Sequence, residues 1–199
     1  ALSFEMARSP GARTITSWSQ IFLGRYVTGL RWKGDGNRLG IADERKRFSD
    51  YLHDQGVRTT TYVSYSALGK GGLTRGFDEI VEVRGREGQS FALSDQVVPK
   101  LIESLEKNAD GPRFYFTHFM DPHFPYDAVP TKGSPRKKFL AEIALADASV
   151  GKLWEALEKN GLLDRTVLVV TADHGEGLGE HDAKYHTMNL YEELIRVPL

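Results

Sequence analysis

Thr166-Val167-Leu168-Val169-Val170-Thr171-Ala172-Asp173-His174-Gly175-Glu176-Gly177 is the stretch on which the reading of the fold turns. Residues 166–171 form a near-continuous apolar, β-branched run, which predicts a strand covered on both faces. A carboxylate and an imidazole follow at its carboxyl end, and then glycines that let the backbone turn tightly. In open α/β sheets ligands bind outside the carboxyl ends of the strands, so Asp173 and His174 are expected where chemistry occurs. One oxygen and one nitrogen donor suit a divalent cation such as Zn²⁺ or Mn²⁺. The other reading of the pair is that Asp173 caps a following helix while His174 packs as a polar neighbour.

Outward from this stretch, helix and strand signals alternate. Residues 138–160 carry Phe139, Ile143, Val150, Leu153, Trp154 and Leu157 at three- and four-residue spacing, with Asn160-Gly161 as the stop. Helices are also predicted over residues 15–24, 41–55 and 90–107, the last with Val97, Leu101 and Leu105 on one face. Strands are predicted over residues 58–63 and 113–119, separated from their neighbours by a Gly-rich loop at 33–37, a loop at 69–76 and a Pro-rich stretch at 122–135. Alternation of this kind implies an α/β fold with a mostly parallel sheet and helices on both faces.

The composition narrows the function classes. The chain has 199 residues, 40% of them hydrophobic, and its 26 basic and 27 acidic side chains leave a net charge of -1, so it offers no broad electrostatic handle for nucleic acid. The absence of cysteine excludes disulfides, thiolate–zinc sites and a cysteine nucleophile. No apolar run approaches the ~20 residues that cross a bilayer, and nothing at Ala1 reads as a signal peptide.

Histidines are unevenly placed. His118, His123, His174, His181 and His186 fall in the last 82 positions, whereas His53 reads as a solvated helix position. Thr117-His118-Phe119-Met120-Asp121-Pro122-His123-Phe124-Pro125-Tyr126 again follows a strand. His118 keeps register with Phe114 and Phe116 and reads as a core histidine. His123 lies past Pro122, where a positioned imidazole can hold an anion, ligate a metal or act as a general acid. Arg13-Thr14-Ile15-Thr16-Ser17-Trp18-Ser19 places hydroxyls at the start of an apolar helix, where N–H groups and the helix dipole favour anions. Thr14 or Ser17 can equally serve there as a plain N-cap.

Taken together, these segments resemble the sulfatase branch of the alkaline phosphatase superfamily. The resemblance is carried by residues 168–199, with Asp173-His174-Gly175-Glu176, Glu180-His181, His186 and Tyr191-Glu192 in order. Further support comes from Phe119-Met120-Asp121-Pro122-His123-Phe124-Pro125-Tyr126 and from residues 141–151 around Asp147. Weaker matches are Gly56-Val57-Arg58-Thr59 and Arg75-Gly76-Phe77-Asp78. The resemblance implies a partial alkaline phosphatase-like core, with Asp173 and His174 as metal ligands. It places His123 at the anionic ester group or a second metal, and His186 beside it. In that family the nucleophile precedes the Gly of a Thr-Gly-x-Tyr-like segment by ten positions; Leu23-Gly24-Arg25-Tyr26 then points to Thr14. Ser9, in Ser9-Pro10-Gly11-Ala12-Arg13, lies five residues too early.

The departures shape the expectation. Sulfatases proper oxidise a Cys or Ser to formylglycine and carry an Arg four residues later; this chain has Thr14 and Trp18 there, so no formylglycine is expected. The family's Lys-x-His pair is replaced by Ser64, Tyr65 and Ser66. A threonine nucleophile resembles the phosphodiesterase and phospho-group transferase relatives. The implied function is a metal-dependent hydrolase or group transferase acting on sulfuric or phosphoric esters, with Ca, Mg, Mn or Zn as the divalent metal. The implied substrate is a small-molecule, lipid or sugar anionic ester, in an extracytoplasmic or membrane-tethered protein. Residues 1–199 are expected to be one sulfatase-like catalytic domain truncated at both ends, lacking a first metal-binding strand and so weak in metal binding and activity as written. The alternative is a non-catalytic domain of the same fold that binds an anionic ligand or partner. A phosphoglycerate mutase-like relative is a third reading, but it requires a serine nucleophile and a second metal cluster.

Overall fold

The computed structural model describes residues 1–35, 39–107, 110–182, 184–186 and 189–199; Gly36, Asn37, Thr187 and Met188 of the segments above lie outside them. The elements in chain order are α1 (Thr14–Leu23), β1 (Trp32–Lys33), β2 (Gly40–Ile41), α2 (Phe48–Asp54), β3 (Arg58–Val63), α3 (Ser66–Lys70), β4 (Glu79–Glu82), α4 (Ser94–Lys107), β5 (Arg113–Thr117), α5 (Pro135–Lys159), β6 (Gly177–Leu178), β7 (Lys184–Tyr185) and α6 (Glu192–Ile195). They fall into two compact units. The first comprises Ala1–Tyr51, Lys70–Gly76 and Leu168–Leu199; the second comprises Leu52–Gly69 and Phe77–Val167.

The second unit is built on a parallel sheet in the order β4-β3-β5. Register puts Thr60 opposite both Glu79 and Tyr115. Strand alternation then places Tyr62 and Tyr115 on one face, their rings 6.4 Å apart, and Phe114 and Phe116 on the other, where Phe77 lies 6.3 and 6.1 Å away. Asp78 fixes the start of the β3–β4 pairing. Its carboxylate accepts the Thr59 N–H at 2.7 Å and the Thr59 hydroxyl at 3.0 Å, while its own N–H donates to Thr59 Oγ1 at 3.0 Å. The two weak motif matches in the sequence are therefore one structural tie. The aromatic β5 was expected; β4, short and flanked by glutamates, gave no strand signal and forms through its pairing with β3.

Helix α5 starts at Pro135 behind Ser134, whose hydroxyl accepts the Lys137 N–H at 3.3 Å. It packs on α4; Leu153 and Leu157 of α5 and Val97, Val98 and Leu101 of α4 are all buried. The rest of its inward face differs from the expected apolar stripe: Glu142 and Ser149 are buried, whereas Ile143 and Trp154 are 40% and 51% exposed. Tertiary partners, rather than the apolar count, set the rotation of the helix.

In the first unit α1 ends at Gly24, which adopts the left-handed conformation (φ 58°) and donates its N–H back into the last turn. Ser17 and Thr16 donate to the carbonyls of Gly11 and Arg13, and the residue before the helix, Arg13, makes no side-chain cap. Neither Thr14 nor Ser17 is an N-cap. The helix expected from residue 41 begins only at Phe48. Ile41 pairs with Trp32 in β2, and the buried Asp43 accepts the N–H groups of Arg31 and Arg45 and the Arg45 guanidinium, which holds the intervening residues out of helix. Residues 4–9 run alongside 195–199, with Ser9 N–H on the Ile195 carbonyl at 2.8 Å and Val197 N–H on the Ala7 carbonyl at 3.1 Å. Gly175 N–H donates to the Leu194 carbonyl at 2.8 Å, and a Cβ at Gly175 would stand 2.0 Å from the Glu193 carbonyl oxygen.

The strand expected at 166–171 is a correction. Among the described residues these make no ladder, and Val167, Val169 and Val170 are 88%, 64% and 48% exposed. A β-branched run supplies the propensity for a strand, but pairing needs a neighbour at its edge. No described helix is long and apolar enough to cross a membrane.

Two outcomes follow from these contacts. Gly175→Ala lacks room against Glu193, so chemical denaturation is expected to show a loss on the order of 3 kcal/mol; a change below about 0.5 kcal/mol would contradict the close approach. The Arg45 side chain, with the Arg45 and Arg31 N–H groups and against the effect of burial, holds the Asp43 carboxyl well below the usual carboxylate range. A depressed carboxyl favours the folded chain above its unfolded pKa of about 4, and that contribution fades as pH falls toward the folded value. Asp43→Asn is expected to cost about 1–3 kcal/mol at neutral pH and to flatten the acid limb of the stability curve below about pH 4; an unchanged limb would refute the assignment.

Candidate active site

The first unit brings four of the sequence-nominated residues together: Thr14, Asp173, His174 and His186. Thr14 opens α1 with its Oγ1 3.3 Å from Nε2 of His174. His174 Nδ1 lies 2.7 Å from the Gly175 carbonyl oxygen. A carbonyl only accepts, so Nδ1 carries the proton and Nε2 presents its lone pair to the Thr14 hydroxyl. Burial lowers the pKa of this imidazole, opposed by the Asp173 carboxylate and the Gly175 hydrogen bond, and keeps the ring neutral at neutral pH. The His186 ring lies 4.2 Å from that of His174, inclined by 34°. Its Nδ1 donates to the Glu176 carboxylate at 3.0 Å, a side chain only 5% exposed.

The chemistry of the donor set tests the fit to a divalent cation. Asp173 is 8% exposed, and its Oδ2 stands 3.5 Å from His174 Nε2. With Nδ1 protonated, this contact sets a carboxylate oxygen against an imidazole lone pair, which is favourable when a cation lies between them. Tetrahedral ligands bonded at about 2.0–2.1 Å stand ~3.3–3.4 Å from one another. The Thr14–His174 and Asp173–His174 separations of 3.3 and 3.5 Å are close to that edge length. The residues fit the group in donor type and spacing, although among the described residues no set of three or more His, Asp and Glu side chains converges as a metal cluster.

His123 belongs to the second unit. Its Nδ1 donates to the Phe124 carbonyl at 2.8 Å, its backbone N–H points to Glu142 at 3.4 Å, and Phe91 meets its ring edge-on at 5.9 Å. His118 is half-buried just beyond β5, consistent with a packing role, and the Ser64 hydroxyl donates to its carbonyl at 2.7 Å. His53 pairs with Asp78 at 2.5 Å on the surface. Glu176 was not singled out from the sequence as a partner of His186. Nothing in its spacing marks it, because the contact depends on how β6 and β7 fold residues 177–185 back. A cavity of about 300 Å³ lined by His181, Lys184, Tyr185, His186 and Asn189 opens beside this cluster.

Comparisons with known proteins agree with this fold. The family described as Sulfatase matches residues 1–199. The N-acetylglucosamine-6-O-sulfatase of Bacteroides thetaiotaomicron is 41% identical over 63 residues, which is 32% of this chain and 11% of that protein. The phosphonate monoester hydrolase of Agrobacterium radiobacter superposes with a TM-score of 0.78 at 15% identity, over 98% of this chain and 60% of that one. The C-terminal periplasmic domain of phosphoethanolamine transferase EptC from Campylobacter jejuni gives 0.75 at 15% identity, over 99% and 66%. The chain thus spans only part of the length of these relatives, and the match along all of its residues places it in the sulfatase family.

Proposed function

We propose that residues 1–199 form a sulfatase-like catalytic domain that transfers a sulfuryl or phosphoryl group from an anionic ester through Thr14, to water or to an acceptor alcohol. The observation that carries this reading is the Thr14 hydroxyl set 3.3 Å from the lone pair of a buried, neutral imidazole, with a carboxylate on the same nitrogen. Family membership supports the class of reaction, and the hydrolase and transferase among its structural neighbours support either fate of the transferred group.

In this reading the Thr14 hydroxyl gives its proton to water as Oγ1 bonds to sulfur or phosphorus in line. The bond to the substrate alcohol breaks with its electron pair on the departing oxygen, which takes up a proton, and the group rests on Thr14 until water or an alcohol displaces it and Oγ1 is reprotonated. The start of α1 presents backbone N–H groups to the ester oxygens. His186, whose Nδ1 donates to Glu176, meets those oxygens or the leaving group as a donor through Nε2–H when its ring is doubly protonated, and a role at the ester is proposed for His123 from the family resemblance. Asp173 and His174 would hold a divalent cation. When bound, such a cation neutralises ester charge and lowers the pKa of the hydroxyl. The cavity beside His186 offers room for the alcohol portion of the substrate.

Turnover of 4-nitrophenyl sulfate, phosphate and phenylphosphonate esters by the full-length protein tests this. Thr14→Ala is expected to lower kcat on the accepted ester by about a thousandfold or more while divalent-cation binding stays within a few-fold, and Thr14→Ser is expected to keep measurable activity. Undiminished turnover by Thr14→Ala would remove Thr14 from the chemistry.

A further inference from the structure

Helix α5 is inverted where it approaches residues 121–128. Leu140 and Ile143 are 52% and 40% exposed, yet Glu142 between them is 2% exposed. Burying a carboxyl while leaving aliphatic side chains in water is unfavourable unless the carboxyl has partners that need it. Those partners are backbone groups of one loop. Glu142 Oε1 accepts the Ala128 N–H at 2.9 Å, and Oε2 accepts the His123 N–H at 3.4 Å. A second buried carboxyl secures the loop's start. Asp121 is 3% exposed and accepts the Ser94 N–H at 2.6 Å and the Ser94 hydroxyl, and Ser94 in turn contacts Ser149 of α5 at 2.9 Å. Between these two anchors Tyr126 is buried edge-on against Phe139 of α5, their rings 5.7 Å apart. The polar part of α5's inward face thus grips one loop at both ends, and His123 is the imidazole that the loop carries.

We propose that Glu142 is a positioning residue: its carboxylate fixes the backbone at His123 and Ala128, and so holds the His123 imidazole in one orientation with Nδ1 turned to Phe124. Only the catalytic consequence of this brace rests on the reading of His123 as an ester-binding residue. The Glu142 carboxyl is pushed up by burial and drawn back by the Ala128 and His123 N–H groups, as expected for a side chain retained for those two bonds.

The test is NMR on the full chain labelled with ¹⁵N-histidine and ¹⁵N-alanine, with Glu142→Ala, Glu142→Gln and, as a control for lost helix packing, Leu153→Ala. Glu142→Ala is expected to speed amide exchange at His123 and Ala128 by on the order of tenfold or more and to mix the His123 ring tautomers. Glu142→Gln keeps one acceptor oxygen and is expected to protect one of the two amides and release the other. Leu153→Ala is expected to lower overall stability while leaving the His123 ring signature unchanged. If Glu142→Ala does not fold, the split between the two amides in Glu142→Gln decides the matter. A His123 signature and both amides unmoved in Glu142→Gln, or moved equally in Leu153→Ala, would overturn the brace. A displaced His123 ring with unchanged kcat and KM for ester turnover would support the brace and instead refute the ester-binding role of His123.

Discussion

The hydrogen bond from His174 Nδ1 to the carbonyl of Gly175 is the constraint on which the site depends. It decides which ring nitrogen keeps its lone pair, and that nitrogen is the one facing Thr14 and Asp173. The carbonyl can serve as an anchor because Gly175 is itself fixed, through its N–H to Leu194 and through an approach to Glu193 that no larger residue allows. The first unit therefore holds its buried imidazole by backbone, and the arrangement of residues 173–176 follows from a glycine that reads in the sequence as a mere turn former.

The second unit solves a related problem with side chains. Residues 121–128 offer few backbone partners to one another, so Glu142 of α5 takes the His123 and Ala128 N–H groups, while the loop's own Asp121 accepts the N–H and hydroxyl of Ser94, which in turn contacts Ser149 of α5. One loop is anchored by main chain; the other, beyond the end of β5, is anchored by its own Asp121 on α4 and by Glu142 of α5. This difference accounts for the polar inner face of α5, whose lower half is ordinary aliphatic packing through Leu153 and Leu157.

Much of this was legible in the sequence. Aromatic and β-branched runs mark β3 and β5, three- and four-residue spacing marks α5, and the Asp173-His174 pair and Thr14 stand out by residue type, though nothing in the sequence encodes their proximity. What stayed hidden depends on partners distant in the chain. The pairing of β4, the late start of α2 behind Asp43, the exposure of Val167 and Val169, and the rotation of α5 toward Glu142 are set by contacts that no local period encodes. Glu176 belongs with these, since its meeting with His186 needs the β6–β7 ribbon to close first.

The central claim is that the Thr14 oxygen carries the transferred group. Acid-quenching the full-length protein during turnover of an accepted aryl ester, followed by peptide mass spectrometry, tests it most directly. The account predicts the mass of one sulfuryl or phosphoryl group on the peptide bearing Thr14, localised to that residue and absent from Thr14→Ala. An adduct localised to Ser9 or Ser17, or sustained turnover through an adduct at any other residue, would contradict it.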